Sequence, residues 1–200
     1  DMKPTLTNRS FIIITLMLSI VSVSCSNRTY SRKIAYGKEL SNSAPNWAKL
    51  VNKETLKLGN FNWIIVAEPA FSAINRKGMA FITVDESSPK VLEQIFSSLD
   101  RNGHVDAQVY ISKESRFLTE RETPGIRAFK ADRDKILNGR EARALEHAAL
   151  EVLVPDAKQN YKILVIKTNT LLPYSSIFIE LESGYWDGES ETALRKRMMR

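Results

Sequence analysis

Two histidines and a single cysteine leave this 200-residue chain few groups able to move protons. Glu68 follows the apolar run Trp63-Ile64-Ile65-Val66-Ala67, where a carboxylate can exchange a proton with a ligand or stand solvated in a loop. His147, in Leu145-Glu146-His147-Ala148-Ala149-Leu150, offers an imidazole that titrates near neutral pH, or a surface or core-edge residue of an amphipathic helix. Tyr174, after Pro173, is a hydroxyl that could orient a polar ligand, or a packing aromatic with a wet tip. His104, in Asn102-Gly103-His104, reads most simply as a turn residue. The sequence contains no P-loop, no G-x-G-x-x-G after a strand, no G-x-S-x-G elbow and no H-E-x-x-H. One cysteine and two histidines do not make a structural zinc site, and Cys25 lies in an export-like segment away from either histidine.

These side chains have to be positioned by an alternation of strands and helices. Trp63–Ala67 and Met79–Val84 are continuous apolar runs, as expected of strands buried on both faces. Val91, Leu92, Ile95, Phe96 and Leu99 follow Ser88-Pro89 at helical spacing. Ala107–Ile111 reads as a short strand, and the charged stretch 113–143 holds a helix between Pro124-Gly125 and Asn138-Gly139. A second helix is expected over about Arg140–Val154 with Pro155 as its stop, then strands over Tyr161–Ile166 and Ser176–Leu181. A final helix has Glu189 and Glu191 at its start and Arg195, Lys196, Arg197 and Arg200 at its end, which suits the helix dipole. A weak helical spacing over Trp47–Leu58 opens the series. The pattern predicts one α/β domain over residues 47–200, with a mainly parallel sheet and helices on both faces. In such folds ligands sit beyond the carboxyl ends of the strands, which selects Glu68-Pro69, Lys167-Thr168-Asn169-Thr170 and Pro173-Tyr174-Ser175-Ser176.

The segment ahead of the domain reads as an address. Lys3 and Arg9 precede the apolar run Phe11–Val21, and small residues follow at Ser22, Ser24 and Cys25. This is the pattern of a secretory signal over residues 1–25, and the run is too short for an ordinary membrane span. Residues 26–46 are polar and read as a tether. A cysteine directly after such a run can be the acylated residue of a bacterial lipoprotein; a plainly cleaved signal is the alternative. The expected location is the periplasm or cell envelope, with membrane attachment through an N-terminal lipid if Cys25 is modified. Mass spectrometry of the exported protein is expected to find Cys25 as a lipid-bearing first residue; an unmodified cysteine, or a start beyond it, would exclude the anchor. The net charge of +6 is too small and too dispersed to indicate a nucleic-acid partner.

Two stretches resemble the ribose pyranase / fucose mutarotase family. Leu58-Gly59-Asn60-Phe61-Asn62-Trp63-Ile64-Ile65-Val66-Ala67-Glu68-Pro69 is similar to that family's Leu-Gly-His-Gly-Asp leading into an apolar strand that ends Asp-Ala-x-x-Pro. Tyr161–Asn169 followed by Pro173-Tyr174-Ser175-Ser176-Ile177 is similar to its strand, polar turn and Pro-Tyr-Ala-Asn. The resemblance implies a cytoplasmic-type α/β fold assembled into rings, with sites between subunits that interconvert ring or anomeric forms of free monosaccharides, without metal or organic cofactor. It implies catalytic roles for Glu68, His147 and Tyr174, and substrate contacts from Asn60, Asn169 and Ser176. Asn60 stands where the family has its first histidine, and an amide does not exchange a proton at neutral pH. Ser176 replaces an asparagine, and Glu68 replaces an aspartate with one more methylene.

Three functions follow from this reading. The first is a sugar mutarotase or pyranase acting outside the cytoplasm. The second is an inactive relative that binds a saccharide or another small polar ligand, which Asn60 favours. The third is a ring-forming structural lipoprotein.

Overall fold

The computed structural model describes residues 46–72, 78–156 and 161–199, with only the helical backbone described for 154–156. The signal-like segment, the tether up to residue 45, and Cys25 lie outside the described residues. The described elements run α1 (Trp47–Thr55), β1 (Trp63–Ala67), β2 (Met79–Thr83), α2 (Ser88–Asp100), β3 (Val105–Ser112), a 3-10 turn (Lys113–Phe117), α3 (Ile126–Leu137), β4 (Ala142–Leu145), α4 (His147–Asp156), β5 (Ile163–Lys167), β6 (Ile177–Ser183) and α5 (Gly188–Met198).

The strands form one six-stranded sheet in the order β2-β5-β1-β6-β3-β4. Strand β6 is antiparallel to both of its neighbours, β1 and β3; the remaining pairs are parallel. The carboxyl ends of the five co-directional strands and the start of β6 therefore share one edge of the sheet. Every residue of β1 is buried, because side chains alternate between two covered faces. Ile64 and Val66 join Ile177, Ile179, Val109 and Leu164 under α1, α2 and α3. Trp63, Ile65 and Ala67 face the other way, with Tyr110, Val165 and Phe178 beneath Leu150 of α4. Each such fully buried large side chain contributes about 1.5–3 kcal/mol of transfer free energy. Between α1 and α2, the Ser98 hydroxyl donates to Asn52 Oδ1 at 2.6 Å, satisfying a polar group that the packing has buried.

The structure corrects two expectations. The run at 79–84 is not buried on both faces: β2 is an edge strand, and of Met79–Thr83 only Ile82 is buried. The helix expected over Arg140–Val154 is a strand followed by a helix. Asn138 and Gly139 adopt left-handed backbone conformations (φ 46° and 86°) that end α3 and turn the chain back to the sheet. Ala142–Leu145 then pairs with Val109–Ser112, and sheet hydrogen bonding overrides the helix propensity of Ala, Arg and Leu. Pro155 falls within the last turn of α4.

The last helix, Gly188–Met198, carries Glu189, Glu191, Arg195, Lys196 and Arg197 as read, while Arg200 lies outside the described residues. The Asp187 side chain accepts from the Ser190 N–H at 2.7 Å, acids occupy the first turn and bases the last, and none of its residues is buried. No described helix is long and apolar enough to cross a membrane.

Candidate functional site

The shared edge of the sheet gathers the site. Residue Glu68 directly follows β1, Ser112 ends β3, His147 opens α4 two residues past the end of β4, and Tyr174-Ser175-Ser176 leads into β6. The β1–β6 and β3–β6 registers bring Val66 and Ile111 each opposite Ile177. Continuing those ladders by one or two residues brings Glu68, Ser175, Ser176 and Ser112 side by side. The Glu68 N–H donates to Ser176 Oγ at 3.3 Å, closing the β1–β6 junction.

The Glu68 carboxyl is half-buried, and its Oε2 is shut away from solvent without a hydrogen-bond partner. Burial pushes its pKa above the ordinary carboxylate value. The Ser175 N–H, the positive charge that His147 can carry and the Ser175 hydroxyl pull it back only in part. The Ser175 hydroxyl itself is buried and makes no hydrogen bond of normal length. A carboxyl so placed retains a proton to higher pH than a solvated one, the behaviour wanted of an acid–base group.

His147 is fixed on several sides. Its backbone N–H donates to both oxygens of Glu114, at 2.9 and 3.1 Å, so a carboxylate caps α4. That hydrogen bond, first among its causes, holds Glu114 below the usual carboxylate range. The imidazole Nδ1 lies 2.9 Å from Ser112 Oγ, and Nε2 lies 3.5 Å from Glu151 Oε1, one helical turn on. The Tyr174 ring meets the imidazole edge-on, with centroids 5.4 Å apart at 84°, and the Phe178 ring lies 6.5 Å away. Tyr174 adopts φ 56°, a left-handed conformation that costs a non-glycine residue on the order of 1–3 kcal/mol. The cost accompanies a ring held over His147 while 38% of the residue is exposed.

The remaining expected contacts are placed differently. Ser176 is at the site but buried, with its oxygen engaged by the Glu68 N–H. Asn169 lies at the same edge of the sheet. Its amide donates to Asp85 Oδ1 at 3.0 Å and its N–H to the Glu86 carbonyl, so it ties the end of β5 to the chain beyond β2. Asn60 is exposed in the turn before β1. It is separated from Glu68 by the length of that strand, about 17 Å at 3.3 Å per residue. One chain therefore brings Glu68, His147, Tyr174 and Ser176 together and leaves Asn60 at the far end of the sheet. His104 is exposed beside Gly103, with Nδ1 3.1 Å from the Asn102 carbonyl, a turn residue as read.

Sequence reasoning missed Ser112, Glu114 and Glu151; Ser175 was within the stretch that the strand-end rule selected. Ser112 obeys the strand-end rule that selected Glu68, but the rule was not carried to the strand read over Ala107–Ile111. Glu151 was available as the helical i+4 neighbour of His147. Among the described residues no three His, Cys, Asp or Glu side chains are grouped to hold a metal ion. A polar groove between α2 and α3 lies on the opposite face of the sheet. There Arg140 pairs with Asp100 and sits 4.7 Å above the Phe96 ring.

Fold and site together define an α/β protein with a cluster of polar side chains at the carboxyl ends of its strands. No family model matches the chain, and no curated protein matches it. Among solved structures it is similar to Bacillus subtilis RbsD complexed with D-ribose, at 17% identity over 66% of this chain and 89% of that chain, with a TM-score of 0.46. It is also similar to FucU from Bifidobacterium longum, at 13% identity over 66% of this chain and 92% of that chain, with a TM-score of 0.45.

Proposed function

We propose that the protein interconverts the ring or anomeric forms of a free monosaccharide without a cofactor, and that it does so outside the cytoplasm, where the export reading of residues 1–25 places it. The observation that carries this reading is the convergence of Glu68, His147 and Tyr174 at one edge of the sheet. The reaction asks little of a protein. A proton leaves the anomeric hydroxyl, the ring C–O bond breaks as the carbonyl forms, and a proton arrives on the ring oxygen; reclosure on the other face reverses each step. Glu68 and His147 are placed to meet those two oxygens, while Tyr174 and the serine hydroxyls orient the sugar. Positioned acid–base groups of this kind contribute roughly 10²–10⁴-fold.

The test is anomer exchange measured by NMR across a panel of aldoses. Acceleration above the buffer rate for at least one sugar is expected; none for any sugar overturns the reading. Asn60 supports a second reading, a saccharide-binding module without turnover, because an amide stands where the resembling family has a proton-exchanging histidine. Saturable binding without exchange, lost in Tyr174→Ala, would establish it.

A further inference from the structure

Resting on that reading of the site, we infer that Ser112 is a positioning residue that holds neutral His147 with its proton on Nε2. His147 then gives a hydrogen bond to the ligand, and Glu68 is the group that takes up a proton. Ser112 is fully buried, and among the described residues its hydroxyl has His147 Nδ1 as its one hydrogen-bond partner, at 2.9 Å. A buried hydroxyl that only accepted would leave its own hydrogen unpaired, at a cost of about 1–3 kcal/mol. Donation to Nδ1 avoids that cost and requires the ring proton to sit on Nε2. On the other side, Nε2 lies 3.5 Å from the Glu151 carboxylate, which also favours an N–H at that position. Both neighbours therefore select the same tautomer.

The other groups around the ring do not compete for either nitrogen. Glu114 is engaged with the backbone N–H of His147, Lys113 faces Glu146 at 4.0 Å, and Tyr174 and Phe178 present ring edges or faces. Glu68 acts on the ring as a nearby charge. In this tautomer Nδ1 accepts from Ser112 and Nε2 carries the proton, so neutral His147 has no free lone pair and is not the base. Proton balance then falls on Glu68. Its carboxylate takes the anomeric proton as the carbonyl forms and the ring C–O bond breaks. It returns that proton to the ring oxygen, whose developing negative charge the His147 N–H stabilises.

The test is ¹⁵N–¹H NMR of the histidine rings in the whole chain, at an alkaline pH where imidazole is neutral. Two histidines keep the assignment simple, because His104→Asn removes the other signal. The expected result is a single Nε2–H tautomer for His147 in the unmodified protein, a mixture of both tautomers in Ser112→Ala, and restoration of the single form in Ser112→Thr. An Nδ1–H tautomer in the unmodified protein overturns the inference whether or not the variants fold. So does a folded Ser112→Ala with an unchanged tautomer. The readout needs no sugar, so the expected tautomer without anomer exchange would sink the proposed function alone.

Discussion

Glu68→Gln is expected to lower anomer exchange by about 10²–10⁴-fold while the chain remains folded, because the variant keeps the shape of the side chain and removes its ability to take up a proton. The same substitution carries a stability signature of fixed sign. Burial raises the Glu68 pKa above its ordinary value of 4.5. An acid raised in the folded state favours folding only while protonated. Its contribution is complete below the unfolded value and is lost as pH rises through the folded one. Glutamine does not titrate, so the unmodified protein should lose stability relative to Glu68→Gln between a pH below its unfolded value and one above its raised folded value. The α4 cap runs the other way. Glu114 is lowered in the folded state, so its contribution is present above the unfolded value and is lost as pH falls. Both proteins share that cap, so the difference between their urea midpoints at the two pH values isolates Glu68. A difference that does not change with pH would show that the carboxyl is not desolvated, and a variant that exchanges anomers at the original rate would remove Glu68 from the reaction.

The parts of this fold legible in the sequence are those where local pattern and tertiary environment agree. Trp63–Ala67 is apolar at every position because α4 covers one face of β1 and α2 the other, so the burial could be read directly. The strand-end rule then reached Glu68 and Tyr174 without any site motif. The pattern misled where its signal was local and the deciding contact was distant. Ala142–Leu145 has the composition of a helix and becomes a strand because Val109–Ser112 offers it a parallel partner. That error placed His147 inside a helix. At the true N-terminus of α4 its N–H is free to be capped by Glu114, and its ring reaches the buried Ser112 at the end of β3. Met79–Thr83 was misread for a related reason, since an edge strand and a central one can share an apolar composition while only one is covered. Asn60, which the resemblance implies as a substrate contact in a site between subunits, lies within one chain at the opposite end of β1 from Glu68.

Phe178→Ala is expected to cost about 3–5 kcal/mol, a large share of the 5–15 kcal/mol that a domain of this size usually has. Phe178 is 1% exposed and packs in the cluster beneath α4, with its ring 6.3 Å from Phe71 and 6.5 Å from His147. Removing it opens a cavity under α4 and takes away one of the two rings that confine the imidazole. A drop in urea midpoint at constant m-value would report the cavity alone. Separating the second effect needs a control of similar cost on the other face. Ile179 is the next residue of β6, fully buried under the helices of the opposite layer, and Ile179→Ala is expected to cost about 2–5 kcal/mol. Adjacent residues of one strand point to opposite faces, so the two variants weaken the same strand from different sides. Under conditions where both remain folded, the His147 ring signals should shift and broaden in Phe178→Ala and stay in place in Ile179→Ala. Equal shifts in the two variants would mean that the site responds to the sheet as a whole, and that the aromatic face beneath α4 does not set the position of the imidazole.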